Sequence, residues 1–298
     1  MWLIITTIAY ALNAISVAVD KVLLTKQIPN PAVYAFFISI LSLVAVVLIP
    51  FGFKAAEPTS IIVALTSGIT FCWALWAMFT ALSRNEASRI TPFIGGLQPL
   101  IIAILAYFIL NEVLGITAIA ALILIVAGTA LISYETTRNK GNRSSYYFAI
   151  LATLLFAISY TLAKLAFNET DFITGFVWTR IGAVLGALPL LISAINRRDI
   201  AAMFKSPKQQ KQTGGLFIIG QVAGSLSFVL VNYAIAISGS VAIVNALQGL
   251  QFVFLLILLL ALTQFAPKLI HETFTPKILA QKLMATGLII AGVALLFI

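Results

Sequence analysis

Apolar stretches of roughly 20 residues, the length that carries a helix across the bilayer hydrocarbon, recur along almost the whole chain with only short polar breaks between them. Of the 298 residues, 61% are hydrophobic and 9% charged, whereas soluble domains are about half apolar and about a quarter charged. No soluble fold buries that much apolar surface, so lipid is the solvent for most of this molecule. Hydropathy and the placement of Gly, Pro and polar clusters predict helices near residues 2–24, 32–53, 60–83, 88–110, 115–134, 146–167, 173–195, 214–237, 240–264 and 280–297. The expected fold class is therefore all-α, a polytopic membrane protein of ten transmembrane helices. The first segment lacks the basic n-region of a secretory signal and is expected to stay as a helix. No connector is long enough to form a soluble domain.

The two halves repeat each other. Ala14, Ile15, Ser16 and Lys21 match Ala157, Ile158, Ser159 and Lys164 at a shift of 143, and Gly96, Leu97 and Gln98 match Gly249, Leu250 and Gln251 at a shift of 153. The run LIVAGTALI at 124–132 matches LIIAGVALL at 288–296 at a shift of 164. The matches keep their order, and the longer connectors at 196–213 and 265–279 account for the growing shift. Residues 1–134 and 146–298 are then expected to be two five-helix copies, joined by a linker at 135–145.

An odd number of crossings per copy forces the second copy to enter from the opposite side. The distribution of charge agrees. The connectors after the odd-numbered helices, with their flanking turns, carry Lys21, Lys26, Arg84, Arg89, Arg138, Lys140, Arg143, Arg197, Arg198, Lys205, Lys208, Lys211, Lys268, Lys277 and Lys282, while the other face has Lys54. This is a positive-inside bias. It places the basic connectors in the cytoplasm and both termini outside it, in a cell membrane. The net charge of +9 is thus a topology signal and not a nucleic-acid surface.

Chemistry-bearing residues are sparse. Every acid lies in a connector or within about a turn of a helix end, His271 is the one histidine and Cys72 the one cysteine. No arrangement suits a catalytic base, a nucleophile, a metal or a cofactor, and the lack of a midplane carboxylate disfavours proton coupling. Arg180 stands eight residues beyond Phe172, about 12 Å into the membrane at the helical rise, where a charge faces protein or water. It is a candidate anchor for an anionic group or a gate; snorkelling to the boundary is the structural alternative. Lys21 and Lys164, repeat mates near helix ends, are candidate gating residues, with interfacial anchoring as the alternative. In the fourth helix Thr91, Gln98 and Pro99, within TPFIGGLQP, and in the ninth Asn245 and Gln248, are polar or helix-loosening positions of the kind that mark a transporter's site. Tyr10 and Asn13, Trp73 and Trp76, Phe156 and Tyr160, and Asn232 and Tyr233 complete a candidate cavity of apolar walls with a few polar groups.

The segment ALSRNEASRITPFIGGLQPLIIAILAYFILNEVL at 81–114, with Ala81, Leu82, Ala87, Ser88, Pro99, Asn111, Glu112 and then Gly128, resembles the signature of the EamA-type branch of the drug/metabolite transporter superfamily. Ala234, Ser238, Ser240, Gly249 and Gly292 look like a weaker second copy. The resemblance implies a ten-helix bundle whose helices 1, 3, 4, 6, 8 and 9 line a central cavity, and alternating-access movement of a small organic metabolite such as an amino-acid-like or drug-like solute. The competing expectations are a membrane-embedded lipid-processing enzyme and a non-transporting membrane scaffold.

Overall fold

The computed structural model describes residues 1–23, 30–84, 87–133, 143–204, 214–265 and 276–296, and all regular structure among them is helical. In chain order the helices are α1 (Trp2–Leu23), α2 (Pro31–Leu41), α3 (Pro58–Leu82), α4 (Ala87–Leu110), α5 (Ile116–Ser133), α6 (Arg143–Glu169), α7 (Phe172–Ala187), α8 (Ala194–Phe204), α9 (Gly214–Ile237), α10 (Val241–Ala246), α11 (Gly249–Phe265) and α12 (Pro276–Leu295). A 3-10 segment, Ser42–Phe51, extends α2, and another, Leu188–Ile192, extends α7. Among the described residues, seven helical runs are long and apolar enough to cross a membrane, and three shorter apolar helices, Ile116–Leu131, Val222–Ile237 and Leu279–Leu295, join them. Together they fall on the ten segments expected from hydropathy. Phe108 is 75% exposed and Ile116 87%, an outward apolar surface that suits lipid and not water.

The sequence misses α8. Its residues AINRRDIAAMF are too polar to form a span, and hydropathy places all but the first two of them in a connector, yet they form a short helix packed against α2 and the 3-10 extension of α7. Asn30 ties it down by donating to Asn196 Oδ1 at 3.2 Å and Asp199 Oδ2 at 2.7 Å.

The chain divides into two compact units, each drawing helices from both halves of the sequence. The linker at 135–145 lies outside the described residues except for its last three, which open α6.

One unit comprises Met1–Gln27, Val113–Tyr134 and Lys208–Ile298. Here α1 packs on α9 and α11, and α5 packs on α12. Water does not drive helices together in lipid, so close approach through small residues must do so. A Cβ added at Gly128 would stand 2.7 Å from Ile289 Cγ1 and 2.8 Å from the Ala285 carbonyl; one added at Gly292 would stand 2.6 Å from Ile125 Cγ1 and 2.9 Å from the Ala121 carbonyl. Residues 121, 125 and 128 plus 164 are 285, 289 and 292. Each glycine therefore meets the mates of the residues that its own mate meets, the pattern of a self-complementary contact.

The other unit comprises Ile28–Glu112 and Glu135–Pro207. There α3 packs on both α6 and α7, and α4 packs on α6. Ser67 and Ser159 are both buried and exchange hydrogen bonds, each hydroxyl donating to the other's carbonyl at 2.8 Å. In the first unit Ser16, the mate of Ser159, lies 2.7 Å from where a Cβ of Gly224 would be. The α3–α7 crossing is tighter still. A Cβ on Gly68 would run into the Thr179 carbonyl, and one on Gly182 would lie against the Leu65 backbone, 2.7 Å from its Cα.

Several threonine hydroxyls are satisfied within their own helices. Thr6, Thr80, Thr129, Thr153 and Thr161 each donate to the carbonyl one turn earlier, the local solution open to a hydroxyl where water is absent. Two helix starts carry side-chain caps. Asn30 accepts from the Ala32 N–H ahead of Pro31, and Ser240 accepts from the Ile243 N–H.

Candidate functional site

The two units hold different chemistry. In the first, the ninth apolar segment is not one helix. It is α10, a junction at Leu247 and Gln248, and α11. Through the junction the hydrogen bonds tighten: Gln248 N–H donates to Asn245 O at 3.1 Å, Leu250 N–H to Leu247 O at 2.9 Å and Gln251 N–H to Gln248 O at 3.0 Å. The Val244 carbonyl thus loses its regular donor, the Gln248 N–H, and accepts the Tyr10 hydroxyl at 3.1 Å instead. One turn along α1, Asn13 Nδ2 donates to Gln251 Oε1 at 2.9 Å.

The sequence marks the fourth and ninth helices alike as loosened, with prolines only in the fourth, but α4 runs unbroken through Pro92 and Pro99. The break is in the ninth, which has no proline. A Cβ on Gly249 would stand 2.5 Å from Thr129 Oγ1, so the start of α11 lies hard against α5 while Tyr10 and Asn13 hold the segment from α1. Asn245 donates to Val241 O and Asn232 to Phe228 O, each at 2.9 Å within its own turn. Both are buried, while Tyr233 and Gln248 are half-buried.

In the second unit the structure brings Phe156, Tyr160 and Arg180 together. The Phe156 and Tyr160 rings stack at 6.3 Å, and Phe71 meets Phe156 edge-on at 5.7 Å. Arg180 is 3% exposed, so it does not snorkel to the boundary. Its guanidinium lies 4.9 Å from the Phe71 centroid and 5.3 Å from that of Phe176, with Nε donating to Thr179 Oγ1 at 3.3 Å. The Tyr160 phenol is within electrostatic reach. Aromatic faces stabilise a desolvated cation by about 2 kcal/mol. Phe71 and Phe176 were missed, because two phenylalanines among 21 carry no signal until the α3–α7 crossing brings them to the arginine.

Trp73 and Trp76 form a separate cluster, edge-on at 5.6 Å and continued by Phe148, over which Arg84 lies at 4.5 Å. Gln98 and Pro99 are buried on α4 and Thr91 is half-buried. A Cβ on buried Gly96 would meet nothing within 4 Å, which marks open space beside it. Lys164 is 5% exposed in α6, within electrostatic reach of Glu112. Asn111 ends α4 in the left-handed region at φ 55°, and the Glu112 N–H donates back to the Ala106 carbonyl at 3.1 Å, the helix-ending conformation that Asn tolerates. The side chain of Lys21, the other gating candidate, lies outside the described residues.

At the mouth of α7 a cleft of about 570 Å³ is lined by Lys54, Glu57, Glu169, Asp171 and Thr174 among others. Asp171 caps α7 by accepting from the Thr174 N–H and hydroxyl at 3.0 and 2.9 Å. Burial works against its ionisation, but those hydrogen bonds and the Lys54 charge outweigh it and hold the carboxyl below its usual 3.8. Because the folded value is depressed, the cap's contribution is present above the unfolded value and is lost as pH falls through the folded one. Asp171→Ala is expected to cost about 1 kcal/mol at neutral pH, read as a lower midpoint of thermal unfolding, and the gap to the parent protein should close under strong acid.

Comparison with known proteins decides the class. The sugar transport protein family model matches residues 3–264. The chain belongs to that family. A WAT1-related chloroplastic protein of Arabidopsis thaliana is 33% identical to it over 109 residues, which is 35% of this chain; the match spans about a quarter of that protein, 25% of its length. Both fall in the drug/metabolite transporter superfamily, so the resemblance seen at 81–114 holds. A solved structure titled "Crystal structure of protein" matches 98% of this chain and 94% of its own at TM-score 0.67 and 15% identity, a likeness of fold alone. The sugar transport family member is thus a multi-pass membrane protein of a transporter family.

Proposed function

We infer that this transporter is a secondary carrier of a small hydroxylated organic metabolite, sugar-like in chemistry, moving by alternating access. Two inverted five-helix repeats, 1–134 and 146–298, form it, and both contribute to a midplane site. The observation that carries the two-repeat reading is the reciprocal packing of Gly128 and Gly292, in which mates meet mates at a constant shift of 164. The basic connectors face the cytoplasm and both termini lie outside, in the cell membrane, as the charge asymmetry requires.

The family description supports the substrate class. So does the inventory of each unit, with amides and a phenol in the first and a guanidinium among aromatic rings in the second. In the first unit Asn232, Tyr233, Asn245 and Gln248 supply neutral donors and acceptors; in the second Thr91 and Gln98 do so, Trp73, Trp76, Phe156 and Tyr160 supply stacking faces, and Arg180 supplies several donors in a planar fork suited to paired oxygens. Tyr10 and Asn13, candidates for the cavity by sequence, are tied to the ninth segment and support it. Lys164 and Lys21 gate the two mouths, and Pro99 gives the fourth helix local freedom to flex. The test is counterflow into proteoliposomes with a panel of labelled neutral sugars, acidic sugars and amino acids. Saturable exchange of a neutral sugar is the expected result. A folded protein inert to the whole panel would sink the reading.

A further inference from the structure

We propose that Tyr10 and Asn13 are positioning residues that hold open the break between α10 and α11, acting on the solute through the shape of the ninth segment and not by touching it. The proposal deepens the transport reading above and rests on it for its kinetic part. Four observations carry it. The junction at Leu247 and Gln248 replaces regular helical bonds with shorter-range ones, which is a state of poorer hydrogen-bond geometry that persists only where something stabilises it. The Tyr10 hydroxyl takes the carbonyl that the break releases, Val244 O. Asn13 takes Gln251 beyond the break. Tyr10 and Asn13 are three residues apart on one face of α1, and their partners lie on either side of the junction, so one helix face bridges both arms.

The energetics follow. A released carbonyl in a buried, water-poor place costs more than an ordinary lost hydrogen bond, and Val244 and Ala246 are among the buried residues. Without the Tyr10 hydroxyl, the cheapest repair is to close the helix, returning Val244 O to the Gln248 N–H. The hydroxyl therefore favours the broken form over the continuous one. Repeat comparison makes the device one-sided. At the shift of 143 Tyr10 corresponds to Thr153, whose hydroxyl bonds Ala149 O within its own helix, and Asn13 corresponds to Phe156. The fourth helix is unbroken.

The test uses the full chain in lipid nanodiscs. Tyr10→Phe removes the hydroxyl and keeps the ring. Hydrogen exchange of amides 245–251 is expected to change about fivefold, the factor set by one buried hydrogen bond, with α12 unchanged. Asn13→Ala should alter the same amides. In proteoliposomes, turnover should fall while the half-saturation concentration stays within a factor of about two. Unchanged exchange at 245–251 would overturn the proposal, as would a change spread over all helices, which would mean general destabilisation. A raised half-saturation concentration at constant turnover would also overturn it, since that marks direct solute contact. Exchange is measurable whether or not any solute is carried, so failure of the transport reading would leave the exchange result standing by itself.

Discussion

Gly68→Leu is expected to yield almost no folded protein, and Gly182→Leu to do the same, whereas Gly287→Ala should be neutral or slightly stabilising. At Gly68 the first atom of any side chain meets the Thr179 carbonyl and the Ala183 nitrogen, and at Gly182 it meets the Leu65 backbone. Backbone cannot rotate away as a flexible side chain would, so α3 and α7 have to separate. Separation also undoes contacts that depend on the crossing, including the Phe71 and Phe176 faces on Arg180. Overpacking of an ordinary core costs about 1–3 kcal/mol. A clash with two helix backbones belongs at or above the top of that range, a large share of the roughly 5–15 kcal/mol that holds a domain folded. At Gly287 an added Cβ meets nothing within 4 Å, so only the gain in helix propensity of about 1 kcal/mol remains. Fluorescence-detected size exclusion after a temperature ramp checks all three variants. A Gly68→Leu protein that melted like the parent would mean that α3 and α7 do not cross with backbone contact at Gly68.

Lipid makes part of such a fold legible. The ten apolar segments were visible because the bilayer imposes a length and a composition on anything that crosses it, and the structure puts apolar helices on all of them. The match of 124–132 with 288–296 was legible too, and it anticipated which residues have equivalent neighbours at Gly128 and Gly292. What stayed hidden depends on contact. Pro92 and Pro99 suggested a break in the fourth helix, yet a span tolerates proline when its neighbours absorb the freed carbonyls, and α4 is continuous. The actual break required Tyr10 and Gly249 to be beside the right helices, 234 residues apart in the case of Tyr10 and Val244, and no local pattern encodes that. Similarly, the depth of Arg180 followed from counting residues along a helix, but the rings around it followed from a glycine crossing. The short helix α8 was invisible to hydropathy because it does not enter the hydrocarbon.

Arg180→Met should separate stability from transport. Removing the guanidinium sacrifices two aromatic contacts, about 2 kcal/mol for a desolvated cation, and the hydrogen bond from Nε to Thr179, net about 1 kcal/mol. Against that, an arginine at such depth costs about 2.5–3.5 kcal/mol to insert, and methionine fills a similar space without that cost. The two sides nearly cancel, so the melting temperature is expected to move by no more than a few degrees. Transport should respond differently. If the guanidinium fork grips oxygen atoms of the solute more tightly as the carrier passes between its two faces, losing it should slow exchange on the order of 100-fold. Arg180→Lys should recover little of this, because an ammonium has neither the planar fork nor the same preference for stacking on Phe71. Counterflow rates and melting curves on the same preparations decide the matter. A Met variant that transports at the parent rate would remove Arg180 from the pathway. One that unfolds would show that the charge is a structural member of the α3–α7 interface, and the aromatic pocket in the second unit would then have to be explained as packing.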